Sequence, residues 1–99
     1  PSSVDSIPSS NNQEDHVSMG ANGATKCKRV VDNVEKVLAI ELLTAVQALE
    51  YRRPLKTSPA LEKIVTAFRK EISFNESDRI LHTDMMKAVE FIRNYNLMI

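Results

Sequence analysis

VLAIELLTAV, residues 37–46, is the stretch from which the architecture of this 99-residue chain can be argued. Only Glu41 and Thr44 are polar, so a helix over these residues would carry apolar side chains on every side of its axis. Such a helix must be covered all round, yet the run is shorter than the roughly 20 apolar residues that span a bilayer. Protein must therefore cover it, and we expect Glu41 to be a buried, paired carboxylate.

The flanking sequence extends this helix in both directions. From about residue 16 to residue 53 no proline interrupts the chain, and apolar residues recur at steps of three and four. Pro54 ends the pattern, because the residue before a proline avoids helical geometry. The sequence therefore predicts one long helix over about 16–53.

A shorter helix follows at about 59–73. Ser58-Pro59 is typical of a helix start, because serine is a favoured N-cap and proline loses nothing at the first helical position. The apolar residues that follow it recur at helical spacing and give this helix one apolar face.

The last helix is predicted over about 83–94, with Thr83 or Asp84 as its cap. No stretch of the chain alternates like a strand, so the fold class is all-α. Two short helices are too small to enclose the long one. We infer that partners are missing, namely more of the same polypeptide, other subunits, or both, and that the long central helix is part of a larger helical bundle.

Charge and cysteine content narrow the possible functions. Thirteen basic residues balance thirteen acidic ones, so the electrostatic case for binding nucleic acid or an anionic membrane is absent. The single Cys27 excludes an internal disulfide framework, and no secretory segment is present, so we expect a cytoplasmic protein. The chain opens at Pro1 rather than at a methionine, and we expect it to be part of a longer polypeptide.

A polar cluster, NQEDH at residues 12–16, precedes the long helix. Its side chains suit a first helical turn, whose free N–H groups and dipole favour acceptors and carboxylates. Glu14, Asp15 and His16 are potential metal ligands, but adjacent residues rarely converge on one ion, so we expect no metal site. A carboxylate at such a helix entrance could also transfer a proton or bind a hydrogen-bonding ligand. Local pattern favours the capping explanation and leaves the acid-base role open as an alternative.

Four stretches resemble one family. DSIPSS at residues 5–10, followed by QEDHVSM at 13–19, is similar to a segment in the C-terminal portion of bacterial histidine ammonia-lyases, within the aromatic amino acid lyases. VLAIELL at 37–43 and DRILHTD at 78–84 also resemble that family. The similarity covers nearly the whole chain, but only a small C-terminal part of such an enzyme.

The resemblance implies a nonoxidative elimination in histidine catabolism, which takes L-histidine to trans-urocanate and ammonia. It implies a methylidene-imidazolone (MIO) electrophile formed from an Ala-Ser-Gly tripeptide, which this chain does not contain. The catalytic tyrosines and the carboxylate-binding arginine of the family also lie upstream. Glu14 matches the family's active-site glutamate near the substrate, and Gln13 beside it is carried over as substrate-binding.

The same resemblance implies a homotetramer with a central helical bundle and active sites shared between subunits. Residues 1–15 are then a loop or arm that carries the active-site segment, and residues 16–99 are the C-terminal helical region of a larger lyase. We expect the chain to be inactive alone, since it lacks the electrophile. Its partners would be L-histidine, the remainder of the polypeptide and three further copies.

The substrate is argued from Glu14. An imidazole offers N–H donors to a carboxylate, whereas a phenyl ring offers none. Related phenylalanine lyases carry Asn-Gln-Asp where this chain has Gln13-Glu14-Asp15, which favours histidine and leaves a tyrosine lyase or aminomutase as the nearer competitor. A stand-alone helical oligomerisation module is the alternative from another class. Whether Glu14 transfers a proton or only binds stays open.

Overall fold

The computed structural model describes Asn11 and residues 19–96. This part of the chain contains three helices and no strand: α1 (Gly20–Glu50), α2 (Pro59–Glu71) and α3 (His82–Asn94). The all-α prediction is confirmed for the residues described. α1 is the long helix, and both of its ends lie inside the predicted range.

The chain divides into two compact units, Pro1–Asn33 and Val34–Ile99. The boundary between them falls within α1. The described part of the first unit is therefore Asn11 together with the beginning of α1. The second unit holds the remainder of α1 and all of α2 and α3.

The hydrophobic core belongs to the second unit, and each helix contributes to it. Phe68 of α2 is fully buried, and its ring meets that of Phe91 edge to face with the centroids 5.2 Å apart. The buried side chains are Ala39, Val46, Val65, Phe68, Ile72, Ala88 and Val89. These buried side chains lie on one face of each helix, as amphipathic helices in a small bundle require.

The part of α1 in the second unit is not covered all round. Val37 is 62% exposed, and Val34, Leu38 and Ile40 are between 42 and 49% exposed. Glu41 is exposed too, and its carboxylate forms no ion pair or hydrogen bond with any residue described. Glu41 is therefore neither buried nor paired by the described residues, and its expected burial would require the inferred partners. The two short helices of this chain cover only the face of α1 that carries Ala39 and Val46, and a carboxylate outside that face keeps its hydration.

α1 ends at Glu50, earlier than the predicted end at Arg53. The N–H groups of Arg52, Arg53 and Leu55 each donate to the carbonyl three residues back, at 3.0, 3.2 and 3.0 Å. These bonds form tight turns in place of further α-helix. Pro54 has no N–H to donate and disfavours helical geometry at the residue before it, so the helix cannot continue.

The predicted start of α2 is confirmed. The Ser58 side chain accepts the N–H of Leu61 at 3.3 Å, and proline occupies the first turn. The helix ends at Glu71, because Ile72 adopts an extended backbone and directs its side chain into the core. Its apolar face thus begins and ends close to where the sequence predicts.

The predicted cap of α3 is wrong. The residue before the helix is Leu81, which provides no side-chain hydrogen bond to the helix N-terminus. Thr83 and Asp84 already lie inside the first turn. The Asp84 carboxylate instead accepts a hydrogen bond from Arg79 Nε at 2.8 Å. Arg79, five residues earlier in the chain, thus takes the acceptor that local pattern would assign to a cap.

The α2–α3 link, residues 72–81, is held against α1 by Gln47. Gln47 Nε2 donates to the Asn75 carbonyl at 2.8 Å, and the Asn75 N–H donates to Gln47 Oε1 at 3.2 Å. Arg79 fixes the link internally, since its guanidinium donates to the Ser73 carbonyl at 2.9 Å as well as to Asp84. The link is irregular in backbone but anchored at both of these points.

Replacing Gln47 with alanine is expected to destabilise the chain by about 1–3 kcal/mol, because two part-buried backbone groups of Asn75 lose their partners. Urea unfolding of the chain, followed by circular dichroism, measures the change. Glu41→Ala is the matched control: it makes the same gain in helix propensity at an exposed position of α1 that has no described partner. Equal stabilities for the two variants would contradict the anchoring role of Gln47.

Candidate functional site

The two residues predicted to act on a substrate, Gln13 and Glu14, lie outside the residues that the structure describes. Asp15 and His16 do as well. The described residues that flank them are Asn11 and Met19. Asn11 has a φ of 55°, in the left-handed region that asparagine adopts more readily than most residues. Asn11 and Met19 are therefore the described residues nearest in sequence to the predicted site.

The entrance of α1 is formed by small and polar residues. The Met19 carbonyl accepts the Gly23 N–H at 3.1 Å, and Asn22 Nδ2 lies 3.6 Å from Met19 Sδ. The Thr25 hydroxyl donates to the Ala21 carbonyl at 2.9 Å. In the described part of the first unit, these contacts at the start of α1 are therefore all made among residues 19–25.

The position of this entrance bears on the capping explanation for the polar cluster. The first turn of α1 contains no acidic residue, and the residue directly before the helix is Met19. A side-chain N-cap acts from the position just before the helix. Because α1 begins at Gly20 rather than near residue 16, Glu14 stands well upstream of the capping position. Met19, whose side chain is not a capping one, stands at that position, and Glu14 lies outside the described residues.

No cluster of three metal-ligating side chains is present among Asn11 and residues 19–96. His82, the second histidine of the chain, is exposed at the first position of α3. None of the helices described is long and apolar enough to cross a membrane.

A charged cluster joins the end of α1 to the first turn of α2. Arg53 donates two hydrogen bonds to the Glu62 carboxylate, at 3.0 and 3.1 Å, and the Thr57 N–H donates a third at 2.9 Å. The Arg53 hydrogen bond, followed by that from Thr57, lowers the pKa of Glu62. The same bond to Glu62 raises the pKa of Arg53. Both pKa values are shifted because the two side chains are hydrogen-bonded to each other.

The pairing predicts a pH dependence. A carboxyl whose pKa is lower in the folded chain stabilises that chain above its unfolded pKa, and the stabilisation is lost as the pH falls through the folded value. The ordinary pKa of glutamate is 4.5. We therefore expect the unfolding midpoint to fall as the pH drops below about 5, and to fall less steeply in Glu62→Gln. Thermal unfolding at several pH values across this range gives the slope of the unfolding midpoint against pH for the wild type and for Glu62→Gln. Glu41→Gln should keep the wild-type slope, and a Glu62→Gln profile parallel to wild type would refute the prediction.

The polar segment lies in a part of the chain that is similar to known proteins. Residues 1–70 match the family model described as aromatic amino acid lyase. The chain belongs to the aromatic amino acid lyase family. The matched range contains Gln13 and Glu14 together with α1 and nearly all of α2.

Similar members of this lyase family are histidine ammonia-lyases. That of Symbiobacterium thermophilum is 48% identical over 97 residues, which are 98% of this chain and 19% of the relative. That of Treponema denticola is 51% identical over 94 residues, or 95% of this chain and 18% of the relative. The chain thus spans less than one-fifth of the length of these curated relatives.

A solved lyase structure shares the fold. The crystal structure of histidine ammonia-lyase from Trypanosoma cruzi superposes with a TM-score of 0.85 at 44% sequence identity. The superposition covers 94% of this chain and 18% of that chain. The arrangement of α1, α2 and α3 is therefore that of a small part of a larger lyase.

The sequence pattern singles out neither Gln47 nor Arg79, although both organise the α2–α3 link of this lyase chain. Gln47 pairs with a backbone 28 residues away, and no periodicity signals a contact of that kind. Arg79 lies in the DRILHTD stretch that resembles the family, which was the available signal. Arg79 and Asp84 carry opposite charges and are five residues apart. That spacing indicates a contact only once the link between them is known to be irregular.

Proposed function

We propose that this chain is the C-terminal part of a histidine ammonia-lyase, which eliminates ammonia from L-histidine nonoxidatively to give trans-urocanate. The observation that supports this most is the 48–51% identity to histidine ammonia-lyases over almost the whole chain. The chain alone would be inactive, because it spans so little of those relatives and contains no Ala-Ser-Gly. The residues here would complete a site whose electrophile is formed elsewhere.

That electrophile, a methylidene-imidazolone, supplies an electron-poor centre to the complete enzyme. No residue of this chain forms it, so the contribution of the chain is to bind and orient the substrate or to accept a proton from it. We assign that contribution to Glu14, with Gln13 beside it as a substrate-binding amide. A carboxylate accepts hydrogen bonds only, and the imidazole of histidine provides an N–H to donate.

Two observations support the assignment of Glu14. The QEDHVSM segment resembles the corresponding segment of the family, and the family match covers it. α1 begins downstream of the segment, which leaves Glu14 away from the capping position of that helix. A carboxylate is able to bind the imidazole or to take a proton from the substrate.

We also propose that the chain works within a homotetramer, in contact with the remainder of its polypeptide. The exposed apolar row on α1 supports this, since contiguous apolar surface of this kind marks an interaction site. The row consists of Val34, Val37, Leu38 and Ile40. A cytoplasmic location is also part of the proposal, since a single cysteine, Cys27, fits a reducing compartment.

The test is a side-by-side assay of the complete polypeptide with L-histidine, L-tyrosine and L-phenylalanine. Ammonia release and urocanate absorbance are followed. We expect kcat/KM for histidine to exceed that for phenylalanine by on the order of 10⁴, because a site built to hydrogen-bond an N–H is left unpaired by a ring without one. Faster release from tyrosine would assign the enzyme to tyrosine instead. Release from none of the three would overturn the proposal.

A further inference from the structure

We draw no further inference here: the strongest candidate, the open groove between α2 and α3 over Ala67, Met86, Phe91 and Tyr95, is otherwise lined by charged and polar side chains of both helices, and nothing in the structure shows what covers it.

Discussion

Replacing Glu14 with glutamine in the complete lyase is expected to lower kcat/KM for L-histidine by about 100-fold or more. Glutamine has nearly the same shape, but it carries no charge and cannot take up a proton. The change therefore removes the proposed chemistry while leaving the volume of the side chain in place. Urocanate formation at varied histidine concentration gives the two kinetic parameters separately.

The same experiment distinguishes the two roles proposed for Glu14. If the carboxylate transfers a proton, kcat falls, because the interaction is made in the transition state. If it only holds the imidazole, KM rises and kcat changes little. Glu76→Gln is the matched control, since it makes the same chemical change at an exposed position of the α2–α3 link, away from the exposed apolar row of α1. Unchanged turnover in Glu14→Gln would remove the assigned role, but not the membership of the lyase family.

Replacing Phe68 with alanine is expected to destabilise the chain by about 3–5 kcal/mol. Phe68 is 0% exposed and packs edge to face on Phe91, so the substitution removes buried area and leaves a cavity among all three helices. Such a loss is comparable to the whole stability of a small domain. Urea unfolding, followed by circular dichroism, reports the difference.

Leu61→Ala is the control for the Phe68 prediction. Leu61 lies on the same helix and is 49% exposed, so its truncation should cost far less in this chain. A Phe68→Ala variant no less stable than Leu61→Ala would show that the core does not depend on α2. In the complete lyase the same pair also tests whether Leu61 becomes buried, because its truncation would then approach the cost seen at Phe68.

Where the sequence predicts the fold well, the cause is local. Ser58 and Pro59 start α2 through chemistry contained within one turn, and Pro54 closes α1 through its own missing N–H. Glu41 shows the opposite case. Periodicity tells which residues share a face of a helix, but not how much partner surface exists to cover that face. The prediction of a buried Glu41 assumed a covering that these residues do not supply.

The candidate site, too, was only partly predictable from local sequence pattern. A row of polar residues is found both before a helix that it caps and in an active-site segment, and local pattern favoured the cap as the explanation of Glu14. Resemblance over a longer stretch favours an active-site role for Glu14, which itself lies outside the described residues. The missed anchor, Gln47, depends on a contact between distant segments, which one sequence read by periodicity does not reveal.

The exposed valines of α1 also bear on how the proposed enzyme would respond to dilution. Their apolar area contributes free energy only after a second surface has covered it, and where that surface belongs to another subunit of the proposed tetramer, the step is bimolecular. Part of the stability of the lyase would then obey mass action, so it would depend on how much protein is present as well as on its sequence. A cell making too little of this polypeptide would lose folded enzyme out of proportion to the shortfall.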